Sequence, residues 1–308
     1  MHRTSKHKGL RLLKYALGTA IVGLSLYYLG TNIVRGMAEI KTFRWQLSWP
    51  DLLISFALTF VCVMLGGPVW NLVLSSLGHD LGLRASMRTQ LQANAAKYVP
   101  GFAWQILGKA YLTRRLGVPT QVVGVALALE FGLVFVTGIF LAALLLPASY
   151  LELPWVPSYA PALRILVALV MALIIAGLPW LARAWTTYAR RRKWSRWEIE
   201  VQPRAIWSAS GLLIAAWLLL GLAFHLLVTA VYPVNWQALP ISVFSLIVSF
   251  LISLAVIFIP NGIGVREGLM AYLMGAIVPP GPASVIALLA RLLLIICEAI
   301  GFLVALRL

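Results

Sequence analysis

Seven ionisable residues stand in stretches that are otherwise apolar: Lys97, Lys109, Glu130, Arg266, Glu267, Arg291 and Glu298. A charge at the centre of a membrane helix costs ~2.5–3.5 kcal/mol on insertion scales, so such residues pair with one another or face a wet pathway. Arg291 and Glu298 are seven residues apart and share a helix face two turns apart, too far to bond directly, so each needs a partner on another element. Arg266 and Glu267 are adjacent and point in different directions on a helix, so neither satisfies the other. Glu130, Glu267, Arg291 and Glu298 are therefore read as ion pairs that fix helix packing or as proton-coupling sites.

Two segments supply a different kind of chemistry. Gln90–Leu112 is a helix-prone run interrupted by Pro100-Gly101, and Ile259–Val278 opens with Pro260-Asn261-Gly262. Each break frees backbone N–H and C=O groups, which at membrane depth must be buried in protein or line a cavity. A helix that starts at depth after such a break directs free N–H groups and a partial positive charge at whatever fills the cavity. With Lys97, Lys109 and Arg266 nearby, the residues Lys97, Pro100, Gly101, Lys109, Asn261, Gly262, Gly264 and Arg266 describe an anion site. The anion available at membrane depth is a lipid phosphate, and the planar fork of Arg266 suits two hydrogen bonds to its oxygens. Glu267 is expected to tie its segment to a neighbour or to carry a proton. The competing reading is structural: Gly264-x-x-x-Gly268 is a small-residue spacing that lets helices approach closely.

Other chemistries lack their motifs. There is no G-x-x-x-x-G-K-[ST], H-E-x-x-H or G-x-S-x-G. Gly262-x-Gly264 with Gly268 approaches a dinucleotide fingerprint but has no preceding strand. The four histidines, His2, His7, His79 and His225, have no ligand spacing, so neither a metal nor a cofactor is expected. His225 lies within an apolar run and reads as a hydrogen-bonded packing residue. Cys62 and Cys297 also fall in apolar runs, where thiols pack as small hydrophobes.

The elements that must position these residues are membrane helices. Of the 308 residues, 61% are hydrophobic and 11% charged, with a mean hydropathy of +0.92; soluble domains carry about 25% charge. Apolar runs long enough to cross ~30 Å of hydrocarbon fall at about Leu12–Leu29, Leu52–Leu72, Val122–Leu146, Leu163–Leu181, Ile206–Val231, Ile241–Ile259 and Ala283–Leu306. The fold class is thus all-α: a polytopic integral membrane protein with about seven transmembrane helices and two re-entrant or broken helices, in a single membrane domain over residues 1–308. Each broken segment follows a pair of spans and precedes another, which points to an internal repeat. The repeat is parallel if both segments re-enter and inverted if either one crosses.

The net charge of +16 sits in short loops beside the spans, where anionic headgroups and the positive-inside rule account for it, so nucleic acid is not expected as a partner. Lys and Arg number five in residues 1–14, three in 30–51, six in 77–115, none in 147–162, seven in 183–204 and none in 233–240. The alternation puts the N-terminus, Arg88, Arg115 and Arg191 in the cytoplasm of a multi-pass protein of the inner, cytoplasmic membrane.

The two broken segments also carry a resemblance. Lys97-Tyr98-Val99-Pro100-Gly101-Phe102-Ala103-Trp104, followed by Gly108, resembles the Y-x-P-G-x-x-W segment of the lysylphosphatidylglycerol synthase membrane region, the flippase-like domain family. Pro260-Asn261-Gly262-Ile263-Gly264-Val265-Arg266-Glu267-Gly268 is similar to that family's P-x-G-x-G-x-R-E-G segment. The likeness covers about Leu10 to Leu306. It implies lipid handling: in some members this region adjoins a soluble aminoacyl-transferase domain and is linked to flipping lysyl-phosphatidylglycerol, while stand-alone members are tied to hopanoids or polyprenyl-linked sugars. With the sequence running to Leu308, only the membrane region carries over, as a stand-alone member.

The expected function is translocation or binding of a phosphate-bearing lipid, phospholipid or polyprenyl-linked. The expected partners are membrane lipids with anionic or polyprenyl-phosphate headgroups and a lipid-modifying enzyme. The alternatives are a membrane-embedded transferase that uses a polyprenyl-phosphate carrier, with Glu267 as its base, and a non-transporting scaffold of a lipid-modifying complex. A transporter is favoured over an enzyme.

Overall fold

The computed structural model describes residues 27, 30, 31, 34, 47–98, 104–151, 157–191, 201–256 and 262–308. The span expected at Leu12–Leu29 lies outside the described residues except for Tyr27, and so do Pro100, Gly101, Pro260 and Asn261. Among the described residues the longer helices are α1 (Trp49–Ser75), α2 (Leu83–Ala96), α3 (Trp104–Arg115), α4 (Thr120–Leu145), α5 (Ala160–Arg191), α6 (Pro203–Val231), α7 (Leu239–Ala255), α8 (Val265–Met274) and α9 (Pro280–Ala305), with no strand. Six are long and apolar enough to cross a membrane: α1, α4, α5, α6, α7 with its preceding 3-10 turn, and α9. The chain is an all-α polytopic membrane protein.

Local sequence explains where the long helices begin. Proline stands in the first turn of α1, α6, α7 and α9. Its fixed φ suits a helix start, and the N–H it lacks has no partner there in any case. The outward faces are apolar, with Leu53, Leu163, Leu166, Leu173 and Leu303 all exposed, as lipid-facing helices require. α5 is the extreme case: nearly all of it is exposed or half-buried, and it packs against α4 and α6 along one side.

Hydrogen bonds at the helix ends define two poles. At one, the Gln202 N–H before α6 donates to the Ser76 carbonyl just after α1 (2.8 Å), and Arg84 Nε donates to the carbonyl of the C-terminal Leu308 (2.6 Å). Leu77, Val118 and Val201 pack together there. At the other, the Ser48 N–H before α1 donates to the Ala230 carbonyl near the end of α6 (2.9 Å), and the Tyr150 hydroxyl donates to the Leu273 carbonyl near the end of α8.

The poles fix the chain path. α2 leaves the first pole and α3 returns to it; α7 leaves the second pole and α8 returns to it. The series span, short pair, span therefore occurs twice with opposite sense, as α1–α2–α3–α4 and α6–α7–α8–α9. With Ile241–Ile259 as a full crossing the repeat would be parallel; the arrangement is inverted because α7 and α8 share a pole. α1 lies along α6, where the Ser55 hydroxyl donates to the Ala223 carbonyl (2.6 Å). α2 crosses α1 at Gly67, where a Cβ would come within 2.6 Å of the Met87 Cα, so only glycine permits that approach.

Candidate functional site

Between the two short pairs, at about mid-length of α1, α4 and α6, lies a cavity of about 370 Å³. Its walls are largely apolar, with Trp217 of α6 and Phe250 of α7 packed edge to face (centroids 5.2 Å apart). The Trp217 indole donates to the Thr137 hydroxyl of α4 (3.3 Å). These contacts join α4, α6 and α7 on one side of the opening, and charged residues finish its lining.

Those charges are matched in an ordered way. Lys97, at the C-cap of α2, pairs with Glu298 of α9 through one carboxylate oxygen, and the Tyr98 hydroxyl donates to the other (2.5 Å). Lys109 of α3 reaches both oxygens of Glu130 on α4 (2.6 Å each). The same ammonium lies over the Trp70 ring of α1, 3.8 Å from its centroid. Glu267 of α8 is buried; it takes Arg291 of α9 on one oxygen and the Gly264 N–H on the other (2.7 Å). Each ion pair ties an end or a body of a short helix to a long span. Buried carboxylates satisfied on both oxygens by charged or oriented donors are the form in which such groups are tolerated at depth.

Arg266 is the exception. Its guanidinium lines the cavity and stands over the Phe250 ring, 5.0 Å from the centroid. Among the described residues it has no hydrogen bond and no carboxylate within ion-pair distance. Three acids are matched by Lys97, Lys109 and Arg291, so Arg266 is the surplus cation at the cavity.

The expected anion site is thus divided. Lys97, Lys109, Gly262 and Arg266 line one cavity. Gly264 lies in the turn beside it and its N–H is held by Glu267, so the start of α8 is capped by the chain's own carboxylate. Gly262 (φ +60°) and Gly264 (φ +83°) adopt the left-handed conformation that this turn needs and that side chains resist. Pro100, Gly101 and Asn261 lie outside the described residues. His225 is buried, its Nδ1 3.0 Å from the Ser242 hydroxyl and its ring against Trp236. Cys297 is buried and Cys62 half-buried.

Three residues not expected to matter also reach the cavity: Gln90 and Asn94 of α2 and Gln105 of α3. Gln90 Nε2 and Gln105 Nε2 both donate to Asn94 Oδ1 (3.1 Å each). The sequence signal was a pair of amides spaced i, i+4 on the face of a helix rich in alanine.

Six helices long and apolar enough to cross a membrane, with a charged cavity at mid-length among them, define a multi-pass membrane protein with a polar chamber among its helices. The chain belongs to the lysylphosphatidylglycerol synthase TM region family, whose model matches residues 12–301. That family concerns the handling of membrane lipids. No curated protein matches the chain.

Proposed function

We propose that this protein takes the headgroup of a phosphate-bearing lipid into the cavity and passes the lipid between the leaflets of the cytoplasmic membrane. The observation that carries this reading is Arg266, which among the described residues is the cation lining the cavity that has no carboxylate partner, while Glu130 and Glu298 there are matched. An unpaired guanidinium at membrane depth is costly, and a phosphate supplies the two acceptor oxygens that its planar fork lacks.

The short pairs fit the same reading. α2–α3 and α7–α8 act as re-entrant pairs that reach from opposite surfaces, so the cavity can open toward each leaflet in turn while the phosphate stays at Arg266. The pole that carries Arg84, Arg204 and the C-terminus is the cytoplasmic one, since residues 77–115 and 183–204 hold six and seven Lys or Arg, whereas 147–162 and 233–240 hold none. A transferase with Glu267 as its base is less well supported, because both oxygens of that carboxylate already accept donors.

The test is lipid translocation by the purified protein in vesicles with fluorescent phospholipids. Arg266→Lys keeps the charge and loses the fork, and is expected to slow translocation; Arg266→Ala is expected to slow it tenfold or more, from the loss of charge-assisted bonds of about 1.5–3 kcal/mol. Both variants should keep the thermal stability of the parent. Stable variants that translocate at the parent rate sink the phosphate role. Cysteines placed at Arg88, Arg115 and Arg191 should resist labelling from outside, and strong labelling of any one reverses the orientation.

A further inference from the structure

We infer that the headgroup accepted here carries hydroxyl groups and no cationic amine, and that Gln90, Asn94 and Gln105 form the subsite that reads it. This rests on Arg266 taking the phosphate of the same molecule.

The three amides come from both members of the first short pair and meet at Asn94 Oδ1, which accepts from Gln90 Nε2 and Gln105 Nε2 (3.1 Å each). That junction uses both lone pairs of Asn94 Oδ1 and leaves the remaining amide groups without bonds among the described residues. Gln90 Oε1 is buried and has no partner among the described residues, an arrangement that costs free energy and that a small turn of the amide toward a ligand donor would relieve. The cluster offers donors and acceptors together, and it does so whichever way each amide is turned, because exchanging O and N on all three preserves the junction and reverses only which group faces outward. A hydroxyl both donates and accepts, so it matches such a cluster. A phosphate only accepts and an ammonium only donates.

The charges weigh against the alternative. A free carboxylate at the cavity would be the strongest partner for an ammonium headgroup. Glu130 is held on both oxygens by Lys109, Glu298 by Lys97 and Tyr98, and Glu267 by Arg291 and the Gly264 N–H. An added amine would meet matched acids and the surplus Arg266. The chamber thus suits a phosphodiester whose far side is a polyol or sugar, and it is unsuited to the lysylated headgroup in the family's name.

A further feature holds the subsite in place. Gly66 of α1 lies under Gln90, where a Cβ would come within 2.9 Å of Gln90 Cγ. The missing side chain makes the recess in which the Gln90 amide sits.

The experiment compares phosphatidylglycerol, phosphatidylethanolamine and lysyl-phosphatidylglycerol with identical acyl chains. Binding is read as thermal stabilisation of the full-length protein in detergent, and translocation is read separately in vesicles. Phosphatidylglycerol is expected to bind about tenfold more tightly than the other two, the effect of one or two neutral hydrogen bonds. Gln90→Leu and Gln105→Leu should each cut that preference to threefold or less. Equal binding of the three lipids by the parent protein overturns the inference, as does a preference retained in the leucine variants. If a leucine variant does not fold, the other variant and the parent's own ranking decide. Soluble glycerophosphoglycerol is the last arm: weak binding supports a lipid, and binding equal to that of phosphatidylglycerol assigns the site to a free phosphodiester and overturns the lipid claim. The result separates from the wider reading, because a binding preference without translocation refutes lipid passage and leaves the subsite standing, whereas translocation without preference does the reverse.

Discussion

The two halves of the molecule repeat one plan with the charges exchanged. In the first half the short helix α3 carries the cation and the following span the acid, Lys109 to Glu130. In the second half α8 carries the acid and the following span the cation, Glu267 to Arg291. The acid of α8 also caps its own helix start through the Gly264 N–H, a duty that Lys109 cannot perform. Lys109 instead spends its remaining contact on the Trp70 ring. The second cation of the first half, Lys97, is matched by Glu298 of the second half, and the loose polar groups of the first half are neutral amides. The second half leaves Arg266 over, beside the turn made by Gly262 and Gly264. A duplicated scaffold therefore presents a neutral reader from one side and a single cation from the other, and the ligand's two chemistries follow from that division.

The tie between the halves is Lys97 with Glu298, and removing it should produce the largest effect. Glu298→Leu strands Lys97 and the Tyr98 hydroxyl near Arg266 and Arg291. An uncompensated buried charge of this kind costs about 3–5 kcal/mol, which should appear as a large fall in thermal midpoint in detergent. The double variant Lys97→Met/Glu298→Leu should regain most of that loss. A single variant as stable as the parent would show that the two halves are held together by packing alone.

Reversing the pairs tests the asymmetry directly. Lys109→Glu/Glu130→Lys keeps a pair in place and loses chiefly the contact with Trp70, so it should lie within about 2 kcal/mol of the parent. Glu267→Arg/Arg291→Glu also keeps a pair, yet it sets a second guanidinium beside Arg266 and leaves the Gly264 N–H without its acceptor. It should be clearly the less stable of the two, and it should lose lipid binding as well. Equal stability of the two reversals, measured by the same melting assay, removes the distinction between the halves.

The sequence made the spans legible because each is one long apolar run bounded by charge or proline. Leu52–Leu72 falls inside Trp49–Ser75, and Ile206–Val231 nearly coincides with Pro203–Val231. The breaks were legible from Pro and Gly, and α8 begins within the Gly-rich turn, at Val265. Partners were not legible. Arg291 and Glu298 each needed one, but nothing local selects Glu267 for the first, or a lysine 201 positions away for the second. The inverted sense was hidden for a related reason: α7 is apolar enough to count as a crossing, and only the bond from Tyr150 to Leu273 shows that α8 returns to the pole where α7 began. The amides give no such signal, because neutral polar residues on a helix carry only a small insertion penalty.

The smallest expected effect on stability separates two glycines that line the same cavity from opposite halves. At Gly262 an added Cβ would meet the Ser253 Cβ at 2.6 Å, and the residue holds φ +60°. Gly262→Ala therefore combines a clash with a residue close to the α7 backbone and a left-handed conformation, and should cost about 1–3 kcal/mol. At Gly66 the added Cβ meets only Gln90, a flexible side chain, at 2.9 Å, and α1 is helical there, where alanine is favoured over glycine by roughly 0.5–1 kcal/mol. The two terms oppose one another, so Gly66→Ala should melt within about 1 kcal/mol of the parent. It should still push the Gln90 amide out of its recess and part it from Asn94, so that the binding preference for a hydroxylated headgroup falls as it does in Gln90→Leu. A Gly66→Ala protein with parental stability and parental preference would mean that Gln90 reads nothing in the cavity. A protein with parental stability and lost preference would show that selectivity in the first half depends on a side chain that glycine leaves out.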